Sequence, residues 1–180
     1  MKHSIENYIP QTDVKTTRRQ ASSVWLISGS VIFAWILLIL LAPIAEVYNL
    51  TNISNPLYNF FGYFCHQIPA RSFHFENHAF AVCSRCFGIY FGLLAGFAAY
   101  PFFRAVENVE PFRRVWLFAA MIPMAIDWSL GFFGFWANTH STRFLTGAIL
   151  GVACAIFLIP ALIELRRLFS NRKLKKRFSS

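Results

Sequence analysis

A chain of 180 residues that is 56% hydrophobic, 18% aromatic and only 14% charged has too little polar surface to dissolve four long apolar runs as a soluble globule. Its formal charge of +9 follows membrane topology, so no nucleic-acid partner is expected. No Gly-rich phosphate loop, Ser/His/Asp order or pair of catalytic carboxylates occurs, which speaks against an ATPase or a hydrolase.

Residues 1–23 read as a polar cytoplasmic leader, and the first span follows at 24–42, Val24 to Ala42, without a charge. The long polar leader and the absence of a small-x-small site after the span mark it as a retained anchor rather than a cleavable signal. The connection from Pro43 to about His78 is too short for an independent domain. Within it, Leu57 to Phe64 is aromatic, apolar and too short to cross, which suits an interfacial or re-entrant helix.

The second span is placed at 79–103, where the apolar run Phe87 to Phe103 reaches bilayer length if the helix starts near Ala79. The third is placed at 115–137 and the fourth at 144–163, which completes a membrane domain over 24–165. The fold class is therefore all-α, an integral membrane four-helix bundle. Residues 166–180 form a basic tail suited to anionic lipid headgroups.

Charge placement sets the orientation. Lys2, Lys15, Arg18 and Arg19 precede the first span, Arg104, Arg113 and Arg114 join the second to the third, and seven Lys and Arg residues follow the fourth. Only Arg71, Arg85 and Arg143 remain for the opposite side. The positive-inside rule then makes both termini cytoplasmic and turns the first and third connections outward, in the plasma (inner) membrane of a cell.

The glycines predict how the bundle packs. Gly88, Gly92 and Gly96 make a doubled GxxxG on the second span, and Gly147 with Gly151 makes another on the fourth. Small residues at this spacing let backbones approach closely, so these two spans should form the tightest contact, and the same faces could serve a homo-oligomer.

The chemistry gathers on the outward side. Cys83 and Cys86 open the second span as Cys-Ser-Arg-Cys, and Cys65 with His66 lies in the preceding connection. Thiols at a helix start, beside Arg85, favour the thiolate that ligates metals or attacks disulfides. Cys65, His66, Cys83 and Cys86 can supply ligands for zinc or copper, with His74, His78 or His140 able to replace one of the adjacent pair. Metal ligation is the preferred reading; in the alternative Cys83 and Cys86 form a reversible disulfide with Cys65 as partner thiol and a membrane quinone as electron acceptor. A static disulfide or plain buried thiols are the third reading, and Cys154, mid-span, reads as packing.

Asp127 lies 12 residues past Val115, about 18 Å along the helix. A carboxylate at that depth needs a partner, which Arg85 or Arg143 can provide, and it is a further catalytic candidate beside Cys83 and Cys86. Pro123 should free the carbonyl of Ala119. Arg71, Arg85, Asp127, Asn138, His140 and Arg143 are the expected supporting or substrate-contacting residues.

The run Cys65-His66-Gln67, Pro69, Arg71-Ser72, Cys83-Ser84-Arg85-Cys86 and Gly88-Ile89-Tyr90, with Asp127, Asn138, Arg143 and Gly147 beyond it, resembles a domain-of-unknown-function family. Its members are small multi-pass membrane proteins of bacteria and archaea, and the resemblance covers roughly Pro56 to Gly151. It implies a shared fold and site, not an activity. The architecture is also similar to four-helix quinone-linked thiol oxidoreductases, but the first connection supplies only one further cysteine, short of a two-pair disulfide relay. An assembly subunit of a membrane complex, which needs only the glycine faces, is the remaining alternative.

Overall fold

The computed structural model describes the backbone of residues 11–108, 110 and 112–178, with side chains described between Arg18 and Phe169. The elements, in order, are α1 (Gln11–Val47), α2 (Thr51–Gly62), a 3-10 turn (Pro69–Arg71), β1 (His74–Phe75), β2 (His78–Ala79), α3 (Ser84–Phe103), α4 (Val115–Phe132) and α5 (His140–Phe178). Four of the helices are long and apolar enough to cross a membrane, over Arg18–Val47, Ser84–Phe103, Val115–Phe132 and His140–Phe169. The protein is an all-α membrane bundle. Its exposed surface carries Leu26, Phe33, Phe118, Ile122, Leu145 and many similar side chains, the composition a lipid-facing surface requires. Lys2 lies outside the described residues, as do the side chains of Lys15 and of the tail beyond Phe169, on which the lipid-headgroup expectation rests.

The glycine stripes set the central contact. A Cβ on Gly88 would run into the carbonyl of Phe144, one on Gly92 into that of Ala148, and one on Gly96 into the side chain of Ala155. In return, Gly147 faces the carbonyl of Arg85, and Gly151 that of Ile89. α3 and α5 thus meet backbone to backbone, the closest helix pair in the molecule. Both stripes are consumed within the chain.

Other contacts are chemically specific. Pro101, inside α3, cannot donate to the carbonyl of Phe97 four residues back, and the Trp25 indole N–H of α1 donates to that oxygen at 2.8 Å instead. Trp25 is thereby a tie between helices. At the other end of the bundle, Trp35 of α1 meets Phe60 and Phe61 of α2 and Tyr90 of α3 edge to face, with ring centroids 5.1–5.9 Å apart.

Several boundaries differ from the sequence expectation: α1 reaches from Gln11 to Val47, beyond 24–42 at both ends, and α5 continues past 163 to Phe178. α3 begins at Ser84, not near Ala79, because residues 74–79 form a two-stranded hairpin and Ala81 and Val82 bend into the core. Its 20 residues still span about 30 Å. α4 ends at Phe132 and α5 begins at His140, so the polar residues Asn138 and Thr139 lie in a connection.

Candidate functional site

The Cys/His segment is positioned from α2. Gln67 adopts a positive φ of 48°, a conformation that non-glycine residues adopt only when the surroundings hold them there. Its side-chain amide donates to the carbonyls of Tyr58 at 2.7 Å and Ala81 at 2.9 Å, tying the turn to α2 and to the bend that enters α3. Tyr58 adds a second tie, its hydroxyl donating to the carbonyl of Ala79 at 2.6 Å. Burial first, and then the charge of Glu46, pushes the Tyr58 phenol up to about 12, which keeps it a donor. Cys65 and His66, immediately before Gln67, are carried onto the start of α3.

There, the Sγ of Cys65 accepts the backbone N–H of Cys83 at 3.2 Å. The thiols of Cys83 and Cys86 lie within hydrogen-bond reach of the same sulfur and, in that order, hold the Cys65 thiol far below its ordinary value. Burial opposes them, and the N–H groups of Cys83 and Gln67 assist them. Cys83 is the residue that caps α3, with extended φ and ψ, and Cys86 lies in the first turn. A ring nitrogen of His66 joins the sulfurs of Cys65 and Cys83, the three ligand atoms lying within 4.8 Å of one another. His66 Nδ1 accepts the N–H of Ile68 at 3.2 Å, which leaves the proton of the neutral ring on Nε2.

The alternative histidines are elsewhere. His74 and His78 belong to the hairpin, and His140 Nδ1 is 2.9 Å from the hydroxyl of Ser84, whose Oγ also donates to the carbonyl of Arg71 at 3.0 Å. Cys154 sits in α5, outside the cluster. Ser84 and Gln67 therefore do positioning work that the sequence reading left unassigned.

Asp127 is buried at 8% exposure and takes Arg85, not Arg143, as its ion-pair partner. Asn138 donates from Nδ2 to Asp127 Oδ2 at 2.9 Å and also to the backbone carbonyl of Asp127. Asn138 can reach down because residue 131 is glycine: a Cβ there would occupy the place of the Asn138 amide. The only sequence sign of that role was the four-residue step between Asp127 and Gly131.

Beside these groups lies one cavity of about 300 Å³, which Asn138 and Gly131 help to line. His66, Cys83 and Cys86 line one side, with Arg71, Arg85 and Arg143 around the remainder and Trp128 and Phe132 on the α4 flank. The arrangement can ligate a soft or borderline metal, exchange electrons through thiols, and hold a negatively charged group.

Comparison with known proteins bears on the same stretch. Residues 65–157 match the family described as Predicted membrane protein (DUF2085), which is more than half the chain and includes every candidate site residue. The chain belongs to this family. It is 38% identical over 113 residues to the Uncharacterized protein MJ1492 of Methanocaldococcus jannaschii, covering 63% of this chain and 72% of that protein. It is 36% identical over 96 residues to an Uncharacterized protein of Methanothermobacter thermautotrophicus, covering 53% of this chain and 85% of the relative. No solved structure matches.

Proposed function

We propose that this DUF2085 protein binds a transition metal, zinc or copper, at a site facing away from the cytoplasm. Cys65, His66 and Cys83 supply three ligands and Cys86 the fourth. The observation that carries the reading is the approach of the two sulfurs and a His66 nitrogen to within 4.8 Å, with the Cys86 thiol against both sulfurs. A tetrahedral zinc with Zn–S bonds of about 2.3 Å separates its sulfurs by roughly 3.8 Å, so modest closure suffices. Three thiolates and an imidazole are a closed ligand set of the structural type. Binding expels the thiol protons and requires a lone pair on His66 at the ligating nitrogen, so affinity rises with pH. Both termini are cytoplasmic in this reading and the membrane is the plasma membrane, on the strength of the positive-inside pattern.

A second reading has a specific observation behind it: three thiols packed together at the mouth of a bundle. In it Cys83 and Cys86 close to a disulfide, and their two electrons and two protons reduce a membrane quinone to quinol. An assembly role resting on the glycine faces loses its main support, because those faces pack inward.

Elemental analysis of the protein freshly purified in mild detergent, beside a Cys83→Ser/Cys86→Ser variant, separates the readings. Near-stoichiometric zinc or copper that disappears in the variant is the expected result. Absence of metal from both samples overturns the metal site and leaves the thiol redox state and quinone reduction to be measured.

A further inference from the structure

We propose that the cavity bordered by Arg71, Arg85 and Arg143 binds a phosphate group, presented either by a phospholipid headgroup or by a small soluble phosphate. The three guanidiniums come from three separate elements, the 3-10 turn before the hairpin, α3 and α5, and line the same space of about 300 Å³. They are near enough for Arg71 and Arg85 to act electrostatically on Arg143. Like charges are not gathered at the end of a membrane bundle without something to offset them.

The protein itself offsets them only in part. Asp127 neutralises one, through Arg85. Among the described residues no carboxylate lines the cavity, and the side chains of Arg71 and Arg143 have neither an ion-pair nor a hydrogen-bond partner. Arg85 adds an unused donor, since its Nε is buried and without a partner. A divalent ion held by three thiolates carries a single negative charge. Three guanidiniums against the one Asp127 carboxylate leave a positive surplus with or without that metal, so the anion site does not depend on the metal reading.

The shape of the donor set selects the anion. A carboxylate offers two oxygens in one plane and is satisfied by a single bidentate arginine, as Asp127 is positioned to do with Arg85. Donors arriving from three directions suit a tetrahedral group with three or four acceptor oxygens, and arginine forks match phosphate in this way. Trp128 and Phe132, both largely exposed on the α4 flank, give the cavity an apolar border on the lipid side. An acyl chain attached to the phosphate could lie there.

The test is calorimetric titration of the full-length protein in a nonionic detergent with two probes, inorganic phosphate and dihexanoylphosphatidylglycerol. Each is run on metal-loaded and on chelator-treated protein. The expected result is saturable binding of at least one probe with a dissociation constant of about 1 mM or tighter. Affinity should weaken at least about tenfold in Arg71→Gln/Arg143→Gln, as loss of charge-assisted hydrogen bonds demands. Phosphate binding that the lipid does not displace identifies a soluble source, and tighter lipid binding that excludes phosphate identifies the headgroup. Arg71→Gln alone, at an exposed position in a loop, guards against a folding defect in the double variant and should weaken binding in the same direction. No saturable binding of either probe, or binding unchanged in Arg71→Gln, overturns the proposal.

Discussion

Removing the carboxylate of Asp127 should unfold the bundle far more readily than its position on a mostly lipid-facing helix suggests. Its Oδ2 accepts both the Arg85 guanidinium and the Asn138 amide, and it is 8% exposed against 20% for the Arg85 side chain. In Asp127→Ala the Arg85 charge stays in place with no counter-ion, its Nε already lacking a partner. Breaking one side of a buried pair in this way costs about 3–5 kcal/mol. Asn138 loses less, because its second bond, to the backbone carbonyl of Asp127, does not depend on the side chain. Asp127→Asn keeps an acceptor and should cost about 1–3 kcal/mol. Arg85→Met combined with Asp127→Ala removes the stranded charge and should recover most of the loss. The assay is SDS-driven unfolding in mixed micelles, followed by tryptophan fluorescence, with the four proteins of the double-mutant cycle measured together. A cost below about 1 kcal/mol for Asp127→Ala, or a coupling below about 0.5 kcal/mol, would refute the argument that this pair holds α4.

Acid should weaken the site through Cys65: its thiol is depressed from 9.0 to about 2, so its contribution is complete above pH 9.0 and declines as pH falls toward 2. In metal-free protein the unfolding midpoint should therefore drop on acidification below 9, and a Cys65→Ser variant with the same slope contradicts this. Tyr58→Phe should cost about 1 kcal/mol by freeing the Ala79 carbonyl. The phenol contributes below its ordinary 10.0 and loses that contribution as pH rises to about 12, so the variant should lack this alkaline step in a pH-dependent melt. Gly92→Ala, whose Cβ would lie 2.7 Å from the Ala148 Cα, should destabilise by about 1–3 kcal/mol. Gly62→Ala, with only the Gln67 Oε1 at 3.7 Å, should be neutral or slightly stabilising in the same unfolding assay.

The parts of the molecule legible in the sequence are those governed by one-dimensional rules. Uninterrupted apolar length located the spans, and glycine spacing correctly paired α3 with α5. The cost of a carboxylate in lipid identified Asp127 as a paired residue and named Arg85 among its partners. The hairpin escaped because its turn, Glu76-Asn77, reaches positive φ at both positions without a glycine. The start of α3 was misplaced because apolar character alone does not distinguish a lipid-facing helix from a buried non-helical connection. Phe80 to Val82 are apolar for the second reason, packed in the core beside Cys65. The roles of Gln67, Ser84 and Gly131 were hidden because each depends on a partner far along the chain or on space left by a missing Cβ, which no periodicity encodes.

The two kinds of contact also divide the labour between packing and chemistry. α3 and α5 are locked by carbonyls resting on glycines, and this fixes Arg85 against Gly147 and brings Ser84 to His140 whatever occupies the cavity. α4 has no such lock. It packs chiefly on α5, and exposes Trp116, Phe118, Ile122 and Phe132 outward. Lipid gives apolar side chains no preference for a neighbouring helix over an acyl chain. Its register near the cavity is consequently set by Asp127, where Arg85 and Asn138 converge on one carboxylate. A ligand that competes for Arg85 draws on the contact that holds α4, so binding at the cavity and the position of α4 are coupled through a single ion pair.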